Sequence, residues 1–535
     1  MSLCPHKPSQ MSNHPSIFND VIGPVMRGPS SSHCAASLRI GRICLDLMGG
    51  VLKRVEIEFD PNGSLATTHK AQGSDMGMFG GFLGWEAHDE RLPEAEKHIA
   101  LAGISVDIRI HDIGAAHPNT YKFTLHNDRT TRTMTALSTG GGMIEVIEVD
   151  GASVSMMGDY AETLIYTDRP GSVQSLLEGA FTFDDILYRE GPKPFVELRS
   201  QRHPDASLLG ELRSLDGVID IALVHPVMPV MARRDLTVPF TNCAEMLEHD
   251  GGEGRPLWEL AVDYESARGD IDRAEVFEKM RAIIRIMGQA IETGMRGTSY
   301  EDRILGSQAP GFRKKMESGA LVKGDLHNRI ILFVSAIMEV KSSMGVIVAA
   351  PTAGSCGALP GVLFAVAHEL GLPEDEIVKG MLAAGLIGVF IAGHATFAAE
   401  VGGCMAETGS GGGMAAAAIV GMRGGSLQQS IAAASLALQN SLGIICDPIG
   451  NRVEAPCLGR NVMAATNALS SANMALSDYD HLVPLDEVID TMKEVGDRIH
   501  HTLRCTNLGG LAITKAAKEI ERRLEQGEMK FFKSC

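Results

Sequence analysis

The chain has 535 residues, too many for one ordinary core, so about two to four domains are expected. Hydrophobic residues make up 44% and charged residues 21%, a globular balance that supports a large interior. The formal net charge of −18 argues against nucleic acid or an anionic membrane surface as partner, and leaves room for a locally basic pocket that takes a small substrate.

Taken in chain order, the opening "MSLCPHKPSQMSNHPSIFND" has no basic segment followed by an apolar core, so no secretory signal is expected. A cytoplasmic location and reduced cysteines follow as expectations. Residues 1–150 alternate strand-like runs ("VLKRVEIEFD", "ISVDIRIHD", "YKFTLHND") with glycine-rich turns and predict an α+β domain. Residues 156–231 read as strand, helix, strand, strand, helix, strand, with Asp205 as N-cap of the second helix. This βαββαβ order is that of ferredoxin-like modules. After the turn-forming "HDGGEGRP", residues 255–535 read as an all-helical domain without strands, broken at "APTAGSCGALPG", "ETGSGGG" and "CDPIGNRVEAPC". The apolar "MLAAGLIGVFIAGHATFAAEVGG" is long enough to test as a membrane span. Its histidine, glutamate and glycines suit a helix buried among helices, so no membrane partner is expected.

The breaks carry the chemistry. Cys446 and Cys457 end the stiff "CDPIGNRVEAPC" loop, and Cys404 lies in "EVGGCMAETGSGGGM". Each thiol sits beside glycine or proline, where backbone N–H groups can approach the sulfurs of an inorganic cluster. None belongs to a CxxC pair, which disfavours structural zinc. The plainer alternative is three small buried hydrophobes. Ser30, Ser31, Ser32 and His33 in "GPSSSH" form a compact donor group suited to a carboxylate, or a simple helix N-cap. Thr352 and Ser355 of "APTAGS" add hydroxyl donors. Arg460 and Asn461, directly after Cys457, are carboxylate-binding candidates, and "AHPNT" places His117 and Asn119 in a turn.

"MEVKSSMGVIVAAPTAGSCGALPGVL", "GGCMAETGSGGGMAAAAIV", "CDPIGNRVEAPCLGRN" and "NLGGLA" resemble the α part of iron–sulfur-dependent L-serine dehydratases. "GPSSSHCAASLRIG", "HPNT" and "STGGGMIEV" resemble the β part. The middle segment, with Asp168-Arg169-Pro170-Gly171 at its first strand-to-helix turn, resembles a ligand-sensing ACT domain, which completes a β–ACT–α fusion. The resemblance implies a [4Fe–4S] cluster on Cys404, Cys446 and Cys457, with one iron open as Lewis acid or capped by Cys535 near the chain end. It implies loss of water from a β-hydroxy amino acid, L-serine first, giving a 2-oxo acid (pyruvate) and ammonia. It also implies an amino-acid effector at the ACT-like segment and a homo-oligomer. No lysine motif of pyridoxal-phosphate dehydratases is present, so that cofactor is not expected. Cys356 and Cys505 have no implied ligand role, and Cys4, Cys34, Cys44 and Cys243 read as packing residues.

The chain departs from that pattern in its loops. "AQGSD" stands for the usual "GHGTD", so Gln72 replaces a histidine suited to proton transfer, and His69, Lys70 and His394 become the candidates for the base. Arg452 brings a cation into the cysteine loop, where it can pair an extra anionic group. Cysteine, threonine and 3-hydroxyaspartate are therefore alternative substrates, and a non-catalytic amino-acid sensor is the alternative of another class.

Overall fold

The computed structural model of the protein describes residues 14–301 and 303–527. β1 (Val25–Met26) is brief, and β2 (Arg54–Phe59), β3 (Ser105–Ile110), β4 (Thr120–His126), β5 (Thr131–Gly140), β6 (Met143–Val149) and β7 (Ala152–Met156) follow it. The last six form one sheet in the order β3-β2-β4-β5-β6-β7, antiparallel except for the β2–β3 pair. In β5 every second residue, from Arg132 through Met134 and Ala136 to Ser138, is buried, so the period of two turns one face to the core. The helices Ala36–Leu47 and Ser74–Phe82 pack against each other beside that sheet. Their contact is backbone on backbone. A Cβ on Gly81 would stand 2.3 Å from the Leu38 carbonyl oxygen, and one on Gly77 would stand 2.1 Å from that of Cys34.

The middle segment contains β8 (Ala161–Thr167), the helix Pro170–Leu177, β9 (Asp185–Arg189), β10 (Phe195–Ser200), the helix Ala206–Ser214 and β11 (Val218–Val224). Its antiparallel sheet runs β11-β8-β10-β9. Asp205 caps the second helix by accepting from the Leu208 amide at 2.9 Å. β8 and β10 are buried along their whole length. Ile165, Val196 and Leu198 meet the two helices through Val173, Leu177 and Leu212, while Leu164, Tyr166 and Phe195 join the main core. Arg132, buried under Tyr166, bridges Asp150 at 2.8 Å and Asp220 at 2.5 Å across the junction.

The described residues of the remainder are helical apart from β12 (Ile347–Val348), which pairs antiparallel with β1 and departs from the strandless expectation. Among the described residues, Ala353–Leu370 and Glu374–His394 are long and apolar enough to cross a membrane, and 78% of the most apolar 18-residue window of each is buried inside the protein. Their apolar surface is therefore covered by protein. The N-terminal segment also belongs to this core. A Cβ on Gly388 would stand 2.1 Å from Val21, so the helix Glu374–His394 has no room there for a larger residue. Ser16 donates to Glu265 at 2.5 Å and the Ile17 amide donates to the same carboxylate at 2.8 Å, which anchors the segment.

Two outcomes are expected. Gly81→Ala should destabilise the protein by about 1–3 kcal/mol through overpacking, whereas Gly210→Ala, with open space around its Cβ, should leave stability unchanged or raise it by up to ~1 kcal/mol. Denaturant midpoints of the two variants compare them. Burial raises Glu265 from 4.5 to about 7 and the neighbouring Asp20 from 3.8 to about 6. In that window the folded chain holds protons that the unfolded chain has released, so these groups stabilise at low pH and the contribution is lost as pH rises through about 7. Melting temperatures of Glu265→Gln should fall less than those of the parent between pH 5 and pH 8.

Candidate active site

Loops of the helical region and of the sheet region meet at one place. Cys446 lies just after the helix Leu427–Gln439 and forms a parallel bridge with Arg504. Cys457 opens the helix Cys457–Leu476, and Cys404 follows Gly403, whose φ of +70° suits glycine. A Cβ on Gly403 would also stand 2.7 Å from the Ile444 carbonyl oxygen, so the turn that carries Cys404 is pressed against the segment that leads to Cys446. All three thiols are 2–5% exposed. Cys446 hydrogen-bonds to Cys404, which lowers the Cys404 pKa, and Arg460 reinforces the effect by donating to its sulfur at 3.3 Å. Burial pushes the Cys457 thiol up, and the Cys404 charge adds to the rise.

Among the described residues no group of three or more His, Cys, Asp or Glu side chains is drawn together as one metal ion would require. The donors are soft thiols arriving from separate loops, with a guanidinium beside one of them and no imidazole or carboxylate among them. That chemistry fits an iron–sulfur cluster better than a single hard cation.

A polar nest lies beside the thiols. Ser32 donates to Glu400 at 2.9 Å, and His33 Nδ1 stands 3.6 Å from the same carboxylate and 3.0 Å from Ser30. His33 Nε2 pairs with Thr68 at 2.8 Å, and burial lowers its pKa. The run is no simple N-cap: Ser30 makes no side-chain capping bond to the helix, and Ser31 accepts from the Ala353 amide at 3.1 Å. Thr352 and Ser355 form a reciprocal capping box, and the Thr352 hydroxyl donates to Glu407 at 2.7 Å. Glu407 is raised to about 8, first by burial and then by Cys404. Lys341 is fully buried, donates to the Val453 carbonyl and faces both Glu407 and Cys457.

The remaining sequence candidates divide. His69 is half-buried, bonded to Asp75 at 2.8 Å, and close enough to His33 to lower its pKa. His117 feels Glu400 and is lowered by burial, and the buried Asn119 amide has both polar atoms without a partner. Arg452 reaches the Ala71 carbonyl at 3.4 Å. Lys70 is exposed, and His394 is exposed and bonded to the Thr241 carbonyl at 3.2 Å, so neither joins the nest. Asn461 is saturated by backbone: it accepts from the Gly357 and Ala358 amides and donates to the Gly354 and Cys457 carbonyls. It clamps the "APTAGS" loop to the Cys457 helix and has nothing left for a carboxylate. Arg460 is likewise engaged, with Asp447 at 2.6 Å and Cys404. Cys4 and Cys535 lie outside the described residues. Burial raises Cys34, Cys243 and Cys356 to about 12, as expected of packing thiols.

Glu400, Glu407, Lys341 and Cys505 escape a reading by motif. A signal existed for the glutamates in their closeness to Cys404, four residues before it and three after. Lys341 stands in the quoted "MEVKSSMG", and Cys505 stands four residues before the "GGLA" of "NLGGLA".

Residues 252–512 match the family model described as serine dehydratase alpha chain. Over 290 residues the chain is 36% identical to a probable L-serine dehydratase alpha chain of Bacillus subtilis, covering 54% of this chain and 97% of the relative. It is 37% identical over 286 residues to the L-serine dehydratase alpha chain of Peptoniphilus asaccharolyticus, covering 53% and 98%. An L-serine dehydratase of Haemophilus influenzae aligns over 506 residues at 25% identity, covering 91% and 96%, so the similarity extends through the sheet region as well. Near-complete coverage of the alpha chains, with the three loop thiols inside the matched region, places the protein in the L-serine dehydratase family.

Proposed function

We propose that the protein is an L-serine ammonia-lyase, which removes water from L-serine and releases ammonia and pyruvate, using a [4Fe–4S] cluster held by Cys404, Cys446 and Cys457. The observation that carries this reading is the meeting of three buried loop thiols with a hydroxyl and carboxylate nest. When bound, the cluster supplies a Lewis-acid iron for the departing hydroxyl. The chain's own residues do the rest. Ser30 and the unpartnered Asn119 amide offer hydrogen bonds to the substrate carboxylate, Ser32 holds Glu400 beside them, and His117 closes the same side. Glu407 Oε1 accepts from Thr352, and its raised pKa lets it hold or take the α proton near neutral pH. Arg460 stabilises the Cys404 thiolate, and Arg452 brings a further cation into the cysteine loop. The βαββαβ segment is read as an ACT-like effector and pairing module.

Anaerobic protein assayed for ammonia and 2-oxo acid release should act on L-serine ahead of threonine, cysteine and 3-hydroxyaspartate. Preference for 3-hydroxyaspartate would instead assign Arg452 to substrate, and an iron-free, inactive protein would favour an amino-acid sensor. Glu407→Gln should lower kcat by roughly 10²–10⁴-fold with little change in iron content, as expected for loss of a general base.

A further inference from the structure

A fourth buried thiol touches the trio. Cys505 is 4% exposed and packs in one cluster with Cys404, Cys446 and Ala399. Its thiol packs against that of Cys446 and raises the Cys446 pKa. Two backbone bonds lock the segments together: the Cys505 amide donates to the Cys446 carbonyl at 2.9 Å, and the Cys446 amide donates to that of Leu503 at 2.8 Å. Cys505 adopts φ of +60°, a left-handed conformation unusual for a non-glycine residue. The surrounding loop is clamped by Asp447, which accepts from the Leu511 amide at 2.7 Å and stands where a Cβ on Gly510 would fall. Gln72 completes the picture, donating from Nε2 to the Cys505 sulfur at 3.4 Å.

We infer that Cys505 is the fourth thiolate ligand of the resting cluster, with Gln72 steadying its sulfur. This rests on the cluster reading above. Cys446 links it to the trio; as a ligand Cys505 would give up its thiol proton, and it would take one up again on leaving the iron to a substrate oxygen. Such an arrangement closes the cluster without calling on Cys535. It also gives Gln72 a role that asks for an amide donor and no titration.

The test is Mössbauer spectroscopy of anaerobic protein reconstituted with ⁵⁷Fe and sulfide, with iron and sulfide counted per chain. The parent and Cys535→Ser are expected to show only thiolate-ligated iron sites. Cys505→Ser and Cys505→Ala are expected to keep the full iron count while one iron separates as a site with an oxygen ligand. Addition of L-serine to the parent should produce a similar split. A parent spectrum with a distinct iron already present, or Cys505 variants with the parent spectrum, would overturn the inference and leave the three-thiol cluster standing. Loss of the split-free spectrum in Cys535→Ser alone would move the role to that residue. An iron-free parent would instead remove the cluster reading itself. Because the parent spectrum is diagnostic without any substitution, misfolding of a variant does not shield the idea.

Discussion

The structure depends on a buried polar seam between the serine loop near the N-terminus and the helical half of the chain. Ser31 and Ser32 reach across more than 300 positions of sequence to the Ala353 amide and to Glu400. An unpaired buried carboxylate or amide costs roughly 1–3 kcal/mol, more when charged, so neither half satisfies its own groups without the other. The short pairing of β1 with β12 and the anchoring of Ser16 and Ile17 on Glu265 draw the same two parts together. The sheet region is therefore half of the site as well as a neighbour of it. This also accounts for relatives that align with the chain across both regions.

Close approach is the second constraint. Elements that must bring backbone within bonding distance of a reactive centre leave no volume for side chains. Gly354 shows this at the site: a Cβ there would stand 2.9 Å from both Glu407 oxygens. The loop that holds Thr352 and Ser355 can lie over that carboxylate only because position 354 has no side chain. Asn461 then supplies the hydrogen bonds that fix the loop, replacing contacts that larger residues would have made.

Much of this was readable in advance because it is local. Alternation of apolar residues marked β2, β4 and the strands of the middle segment, and Asp205 marked a helix start that the Leu208 amide bears out. The loops of Cys404, Cys446 and Cys457 were visible as glycine and proline breaks. What was not readable depends on partners distant in sequence. Serines 30–32 have the composition of an N-cap, and only the opposing Glu400 and Ala353 give them another role. Asn461 looked like a free amide beside Cys457 until its backbone partners were known. Lys70 and His394 were reasonable bases by residue type, yet both face outward, and proximity in sequence to a motif says nothing of direction. Cys505 had no nearby thiol in sequence, and its neighbour Cys446 is supplied by a bridge between remote segments.

Charge balance explains why the nest has its composition. Several thiolates in a buried place repel one another and lose hydration, and each needs a compensating donor or cation. At an effective dielectric constant near 20, a unit charge pair about 4 Å apart gains about 4 kcal/mol. Arg460 at 3.3 Å from Cys404 and the buried Lys341 supply positive charge beside the thiols. Asp447 tempers the first by pairing with Arg460, while Glu407 lies within the field of both Lys341 and Cys404. With burial as the largest influence and Cys404 and Glu400 outweighing Lys341, the Glu407 pKa rises to about 8. A carboxyl poised there can exchange a proton near neutral pH, which neither a surface glutamate nor the glutamine at position 72 can do. The same compensation that makes a buried set of thiolates tolerable therefore tunes the group beside it for proton transfer.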